Sequence, residues 1–156
     1  LTNPAGATRQ LIGVYAPGLT ETLAHVLKAL GSERAFVVHG SDGLDEITLT
    51  GPTQVSELAP EGVLTYQISP EQFGLDRCSA DDLVGGDATA NAAILTEILA
   101  GSTGPRRDVV LLNAGAAITA GGLADDLADG IDLARQAIDN GKARQTLEDL
   151  KRVSHG

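Results

Sequence analysis

The residues best suited to chemistry lie in one short run, His39-Gly40-Ser41-Asp42-Gly43-Leu44-Asp45-Glu46. Asp45 and Glu46 are adjacent carboxylates, oxygen donors of the kind Mg²⁺ takes. That ion keeps several waters and is usually completed by one or two carboxylates and a substrate phosphate. Adjacent side chains on a strand point to opposite faces, so the pair can share an ion only where the backbone leaves the extended state. Gly40 and Gly43 permit such a loop. From the residues alone two readings stay open, a divalent-cation site and a solvated acidic turn. His39, at the end of an apolar stretch, invites a hydrogen bond to backbone before a ligand contact. Cys78 has no matched base to make it a nucleophile, and the nearby Asp76, Asp81 and Asp82 are expected to raise its thiol pKa. Gly85-Gly86 before a helix could cradle phosphate, but Asp87 as an acidic cap would repel it. Asp125, Asp126, Asp129 and Asp132 read as a solvated helix face, and His25 and His155 as surface residues.

These residues need a frame. Gln10 to Tyr15 is short, apolar and β-prone, and reads as a buried strand followed by a turn at Ala16-Pro17-Gly18. Thr20 looks like a helix N-cap, with Leu23, Val26, Leu27 and Leu30 at helical spacing and Gly31 closing the helix. Arg34 to His39 carries Ala35-Phe36-Val37-Val38, a continuous apolar run expected of a strand covered on both faces. Strand, helix and strand make a βαβ unit with parallel strands and a right-handed crossover. The acidic run then sits at the carboxyl end of the second strand, where open α/β sheets bind ligands. Further on, Ile47 to Thr50 alternates like a half-exposed strand. Thr53 to Leu58 and Gly62 to Ile68 are strand candidates, and Ser69-Pro70-Glu71 opens a turn or short helix. Helices are expected after the Asp87 cap, from Asp108 through the small residues up to Gly122, from Leu123 to Asn140-Gly141, and from Lys142 to Val153.

The 156 residues suffice for one domain with a sizeable core. Hydrophobic residues are 42%, charged 21% and aromatic 3%, so the core must be aliphatic. A net charge of −10 argues against nucleic acid, whose phosphates need clustered Lys and Arg. No apolar run approaches the roughly 20 residues of a membrane span. The lone Cys78 cannot form an intramolecular disulfide and fits a reducing, cytoplasmic setting. The chain opens at Leu1 without Met, and Leu1-Thr2-Asn3-Pro4 reads as the inside of a turn. That is expected of a piece of a longer protein.

Seven stretches in order carry a resemblance. They are Leu1 to Ala5, Gln10 to Tyr15, Val38-His39-Gly40 with Asp42 to Glu46, Ile68 to Leu75, Leu83 to Ala88, Leu111 to Ala117, and Ala137 to Ala143. Together they are similar to the second half of the anthranilate phosphoribosyltransferase family, and they span nearly the whole chain. The resemblance implies a βαβ-containing mixed α/β sheet flanked by helices, the large domain of a nucleoside phosphorylase/phosphoribosyltransferase-type fold. Residues 1–156 would then form a single, incomplete α/β domain without the family's amino-terminal helical domain. It implies transfer of phosphoribose from phosphoribosyl pyrophosphate to the amine of anthranilate in tryptophan biosynthesis. Asp45 and Glu46 fall on the family's acidic pair, which binds Mg²⁺, and a homodimer would form through the absent helical domain. The family's Gly-Thr-Gly-Gly-Asp and Lys-His-Gly-Asn-Arg segments, and the arginine that meets the carboxylate of anthranilate, do not occur here. The 156 residues alone are therefore expected to be inactive, and no catalytic or substrate-binding residue is assigned. Two alternatives remain: a pyrimidine nucleoside phosphorylase-like enzyme, and a non-catalytic paralogue that binds a ligand. The acidic pair and the Asn3-Pro4-Ala5 opening favour the transferase over the first; the negative charge disfavours nucleic acid as partner in the second.

Overall fold

The computed structural model describes residues 5–154, so the turn read into the first four residues and the position of His155 lie outside it. Four strands pair in the order β1 (Arg9–Gly13), β2 (Arg34–Gly40), β3 (Thr53–Ala59) and β4 (Gly62–Ile68). β1 and β2 are parallel and joined by helix α1 (Gly18–Ala29), the expected βαβ arrangement. β2/β3 and β3/β4 are antiparallel, so the sheet is mixed. After two short 3₁₀ turns, Pro70–Phe73 and Ala80–Leu83, the chain is helical: α2 (Ala88–Leu99), α3 (Pro105–Ala120), α4 (Leu127–Asp139) and α5 (Lys142–Ser154). No helix among the described residues is long and apolar enough to cross a membrane.

Alternation along β2 sorts the core into two layers. Ala35 and Val37 pack with Ala24, Leu27 and Leu58 beneath α1. Phe36 and Val38 face the other way, onto Leu112, Ala116 and Ile131 of α3 and α4. This double coverage explains the unbroken apolar run of β2. β1, expected to be buried, instead lies at the sheet edge, and its residues are at best half-buried.

Four further expectations need correction. α1 begins at Gly18, not after a Thr20 cap; Thr20 is fully buried inside the helix and donates its hydroxyl to the Pro17 carbonyl at 3.0 Å. Ile47 to Thr50 is not a half-exposed strand but a bent loop in which Ile47, Thr48 and Leu49 are all buried. Threonine hydroxyls there bond locally and compete with a β ladder. α3 starts at Pro105, whose missing N–H suits the first helical position. α4 starts at Leu127, capped by Asp126, whose carboxylate accepts the Asp129 N–H at 2.9 Å. The Asp87 cap of α2 is present as expected, accepting from the Ala90 N–H at 2.8 Å.

α3 and α4 meet through glycine. A Cβ on Gly115 would lie 2.7 Å from Ile131 Cγ1, and one on Gly130 would run into Thr119 Oγ1 and the Gly115 carbonyl. Gly130→Ala is expected to cost about 2 kcal/mol, because overpacking outweighs the helix-propensity gain of about 1 kcal/mol. Gly18→Ala, where an added Cβ meets nothing within 4 Å, should stay within about 0.5 kcal/mol of the parent. Urea denaturation of both variants checks this; equal stability of Gly130→Ala and the parent would contradict the packing account.

Candidate functional site: an acidic loop over a cleft at the sheet edge

The chain leaves β2 at Gly40 and turns back at once. The Gly43 N–H donates to the Gly40 carbonyl at 2.9 Å, with Gly43 at φ +92°, a conformation L side chains rarely adopt. The Gly40 N–H in turn donates to the Leu44 carbonyl at 2.9 Å. Asp42 holds this loop from inside. Its Oδ2 accepts the hydroxyls of Thr48 at 2.5 Å and Thr50 at 2.7 Å, and its Oδ1 accepts the Leu44 N–H at 3.2 Å. Burial pushes the Asp42 carboxyl up, but these hydrogen bonds more than offset it and hold its pKa below the ordinary value. Asp42 is thus committed to the loop's own structure.

Asp45 and Glu46 follow on the exposed rim. They border a cleft of about 440 Å³ with Leu11 and Gly13 of β1 and Val109, Val110, Asn113 and Ala114 of α3. Two contacts fix the backbone of the pair. On one side, the carbonyl of Asp45 rests on Gly13; a Cβ there would collide with that oxygen. On the other, the Asn113 amide brackets Ile47: its Oδ1 accepts the Ile47 N–H and its Nδ2 donates to the Ile47 carbonyl, each at 2.9 Å. Asp45 and Glu46 therefore lie in a bend rather than in an extended strand, and both residues border one cleft.

The donor set suits a hard divalent cation. Both side chains offer only oxygen, and among the described residues no group of three or more His, Cys, Asp and Glu that could hold a metal ion comes together. Two carboxylates leave most of an octahedral shell to water and phosphate, which is the usual condition of Mg²⁺.

The remaining candidates have structural roles. Nδ1 of the buried His39 lies 2.8 Å from the Val14 carbonyl. A carbonyl can only accept, so Nδ1 carries the proton and ties β2 to the chain after β1. Burial pushes the Cys78 thiol up, reinforced by Asp82, Asp108 and Asp42. The direction is as expected, though Asp108 and Asp42 act where Asp76 and Asp81 were anticipated. Gly85-Gly86 is occupied by protein: Asn91 Oδ1 accepts the Gly86 N–H at 2.8 Å, and its Nδ2 donates to the Gly86 carbonyl at 3.0 Å. That leaves no phosphate cradle. His25 is exposed near Glu21, and Asp132 pairs with Arg135 on the solvated face of α4.

Sequence reasoning missed Gly13, Asp42 and Asn113 as parts of the site. A signal existed for Asn113: an amide directly after Val109-Val110-Leu111-Leu112 in a packed helix must find polar partners. Gly13 carried none, because the chain that presses on it is distant in sequence.

The family model described as "Glycosyl transferase family, a/b domain" matches residues 1–144. The chain is 54% identical over 155 residues to the anthranilate phosphoribosyltransferase of Geotalea uraniireducens, covering 99% of this chain and 44% of that protein. It thus spans less than half the length of that relative. Among solved structures, anthranilate phosphoribosyltransferase from Thermus thermophilus superposes with a TM-score of 0.80 at 38% identity, over 88% of this chain and 40% of that one. The Saccharomyces cerevisiae enzyme in complex with PRPP and Mg gives 0.78 at 30% identity, over 90% and 41%.

Gly13→Ala is expected to force the loop off β1, with loss of amide protection at Gly40 and a stability loss of about 3 kcal/mol, because backbone cannot yield as a side chain does. Hydrogen exchange and thermal melting check it; an unshifted loop in a fully stable Gly13→Ala protein would contradict the close approach.

Proposed function

The chain belongs to the glycosyl transferase family through its α/β domain, and from that premise we propose that it forms the carboxyl-terminal part of an anthranilate phosphoribosyltransferase. The whole protein would move phosphoribose from phosphoribosyl pyrophosphate to the amine of anthranilate, releasing pyrophosphate, as a step of tryptophan biosynthesis. The observation that carries this reading is the 54% identity that runs through 99% of the chain. The cleft supports it, since Asp45 and Glu46 both border open space that a phosphorylated ligand could enter.

Asp45 and Glu46 would hold Mg²⁺ against the diphosphate of the sugar donor. When bound, the ion offsets negative charge on the departing pyrophosphate. Without it the two carboxylates would repel that group, which supports reading them as ligands of a shared cation. No general base is needed, because an aniline-type amine is already a neutral nucleophile. The remaining expectations belong to the same proposal: a homodimer formed through a helical domain outside these 156 residues, and a cytoplasmic setting. The half-exposed apolar edge strand β1 supports the view that further chain completes the sheet.

Two outcomes test this. Residues 1–156 alone should give no phosphoribosyl-anthranilate fluorescence above background with host enzyme excluded, and sustained transfer by the purified chain would overturn the division of labour. In the whole protein, replacing Asp45 and Glu46 together with Ala should lower kcat/KM by about 100-fold, the scale of losing charge stabilisation at a leaving group. It should also raise the Mg²⁺ requirement, with folding intact because both side chains are exposed. Identical Mg²⁺ titrations for the parent and this variant would remove the pair from the mechanism.

A further inference from the structure

We propose that Asn113 is a positioning residue for the Asp45–Glu46 pair, presetting the acidic loop before any cation arrives. The inference rests on the metal-binding reading of that pair. Ile47 immediately follows Glu46, and its N–H belongs to the peptide that joins them. Both polar groups of Ile47 are taken by one side chain on α3 rather than by a neighbouring strand: Asn113 Oδ1 accepts its N–H and Nδ2 donates to its carbonyl, each at 2.9 Å. The second Nδ2 proton goes to the Val109 carbonyl one turn earlier, at 3.0 Å. Every hydrogen of the amide group is therefore used, and the bond to Val109 fixes the side chain's rotation.

The chemistry is specific to an amide of this length. Ile47 offers a donor and an acceptor together, so the matching side chain must both accept and donate. Asp cannot donate when ionised, Leu can do neither, and Gln carries the amide one methylene further from α3. Reversing the amide would set its NH₂ against the Ile47 N–H, so the network itself settles the orientation. The need for such a clamp follows from where it sits. Residues 41–46 are exposed and lack a strand partner, whereas metal ligands must be held to within about 0.5 Å of their working geometry. Gly13 fixes the Asp45 side of the pair, Asn113 fixes the Glu46 side, and both line the same cleft.

Groups that orient a metal's ligands typically change affinity by about 10- to 100-fold when removed. The test uses Mn²⁺ as probe, followed by electron paramagnetic resonance in the whole protein with phosphoribosyl pyrophosphate present. Asn113→Ala is expected to weaken Mn²⁺ binding about 10-fold and to release the Ile47 amide to fast exchange. Leu27→Ala, which weakens the separate core layer beneath α1 without touching α3 or the loop, should leave Mn²⁺ affinity unchanged, separating positioning from general instability. Should Asn113→Ala not fold, the parent protein alone decides: the Ile47 amide must be protected before any metal or diphosphate is added. Protection that appears only with both ligands would overturn the inference. So would Asn113→Ala binding Mn²⁺ like the parent while the Asp45/Glu46 double Ala variant binds it weakly. If the double variant itself binds Mn²⁺ like the parent, the metal reading of the pair fails first and this inference falls with it.

Discussion

A backbone carbonyl resting on a bare Cα, Asp45 over Gly13, is the constraint on which the site depends. It presses the loop after β2 onto the strand before α1, so two segments far apart in the chain share one edge of the sheet. Any side chain at position 13 would lift the loop by more than the tolerance of a metal site. The rest of the loop is arranged around that contact. Asp42 gathers Thr48 and Thr50 behind it, the Gly43 turn reverses the chain before it, and Asn113 receives the chain beyond it. Fixing each residue of such a loop costs about 1–2 kcal/mol of conformational entropy. Each net hydrogen bond returns only about 1 kcal/mol, so several anchors from different elements are needed to hold it still.

Helix α3 links this loop to the core. Asn113 and Gly115 are two residues apart and so fall on roughly opposite faces of the helix. Asn113 holds Ile47, while Gly115 lets Ile131 of α4 approach within van der Waals distance. The small residues of α3 thus serve two surfaces at once, which explains why the helix is neither clearly amphipathic nor uniformly large. A second polar cluster braces the sheet on the same side: the Tyr66 hydroxyl donates to Glu57 at 2.9 Å, and Glu57 pairs with Arg34 at 3.4 Å. Burial and the neighbouring Glu57 carboxylate push the Tyr66 phenol well above its usual pKa. It stays protonated as a donor throughout the physiological range.

Much of this was legible in the residues, for identifiable reasons. β2 announced itself because a strand covered on both faces must be apolar throughout. α2 and α4 announced themselves because caps and glycines punctuate a 3.6-residue rhythm, even where the first residue of α4 was misplaced. The Ile47–Thr50 stretch misled because threonine and aliphatic residues alternate equally in a strand and in a loop whose hydroxyls bond to one another and to Asp42. Thr20 misled because its hydroxyl reaches back to Pro17 from inside the helix as readily as it would cap one. The acidic pair was visible, but the contacts that hold its backbone were not. Gly13 and Asn113 are long-range partners, and no local pattern marks the pressure of Asp45 or the polar groups of Ile47.

In the proposed function, the edge cleft and the Asp45–Glu46 pair would receive a cation that arrives with a diphosphate. The central claim is that Asp45 and Glu46 become ligands only when substrate phosphate completes the shell. Anomalous scattering from crystals of the whole protein soaked in Mn²⁺ tests it most directly. With phosphoribosyl pyrophosphate present, the account requires a Mn²⁺ peak bridging Asp45, Glu46 and the diphosphate, and without it no ordered peak at the pair. A Mn²⁺ ion bound to the diphosphate with neither carboxylate in contact would contradict it.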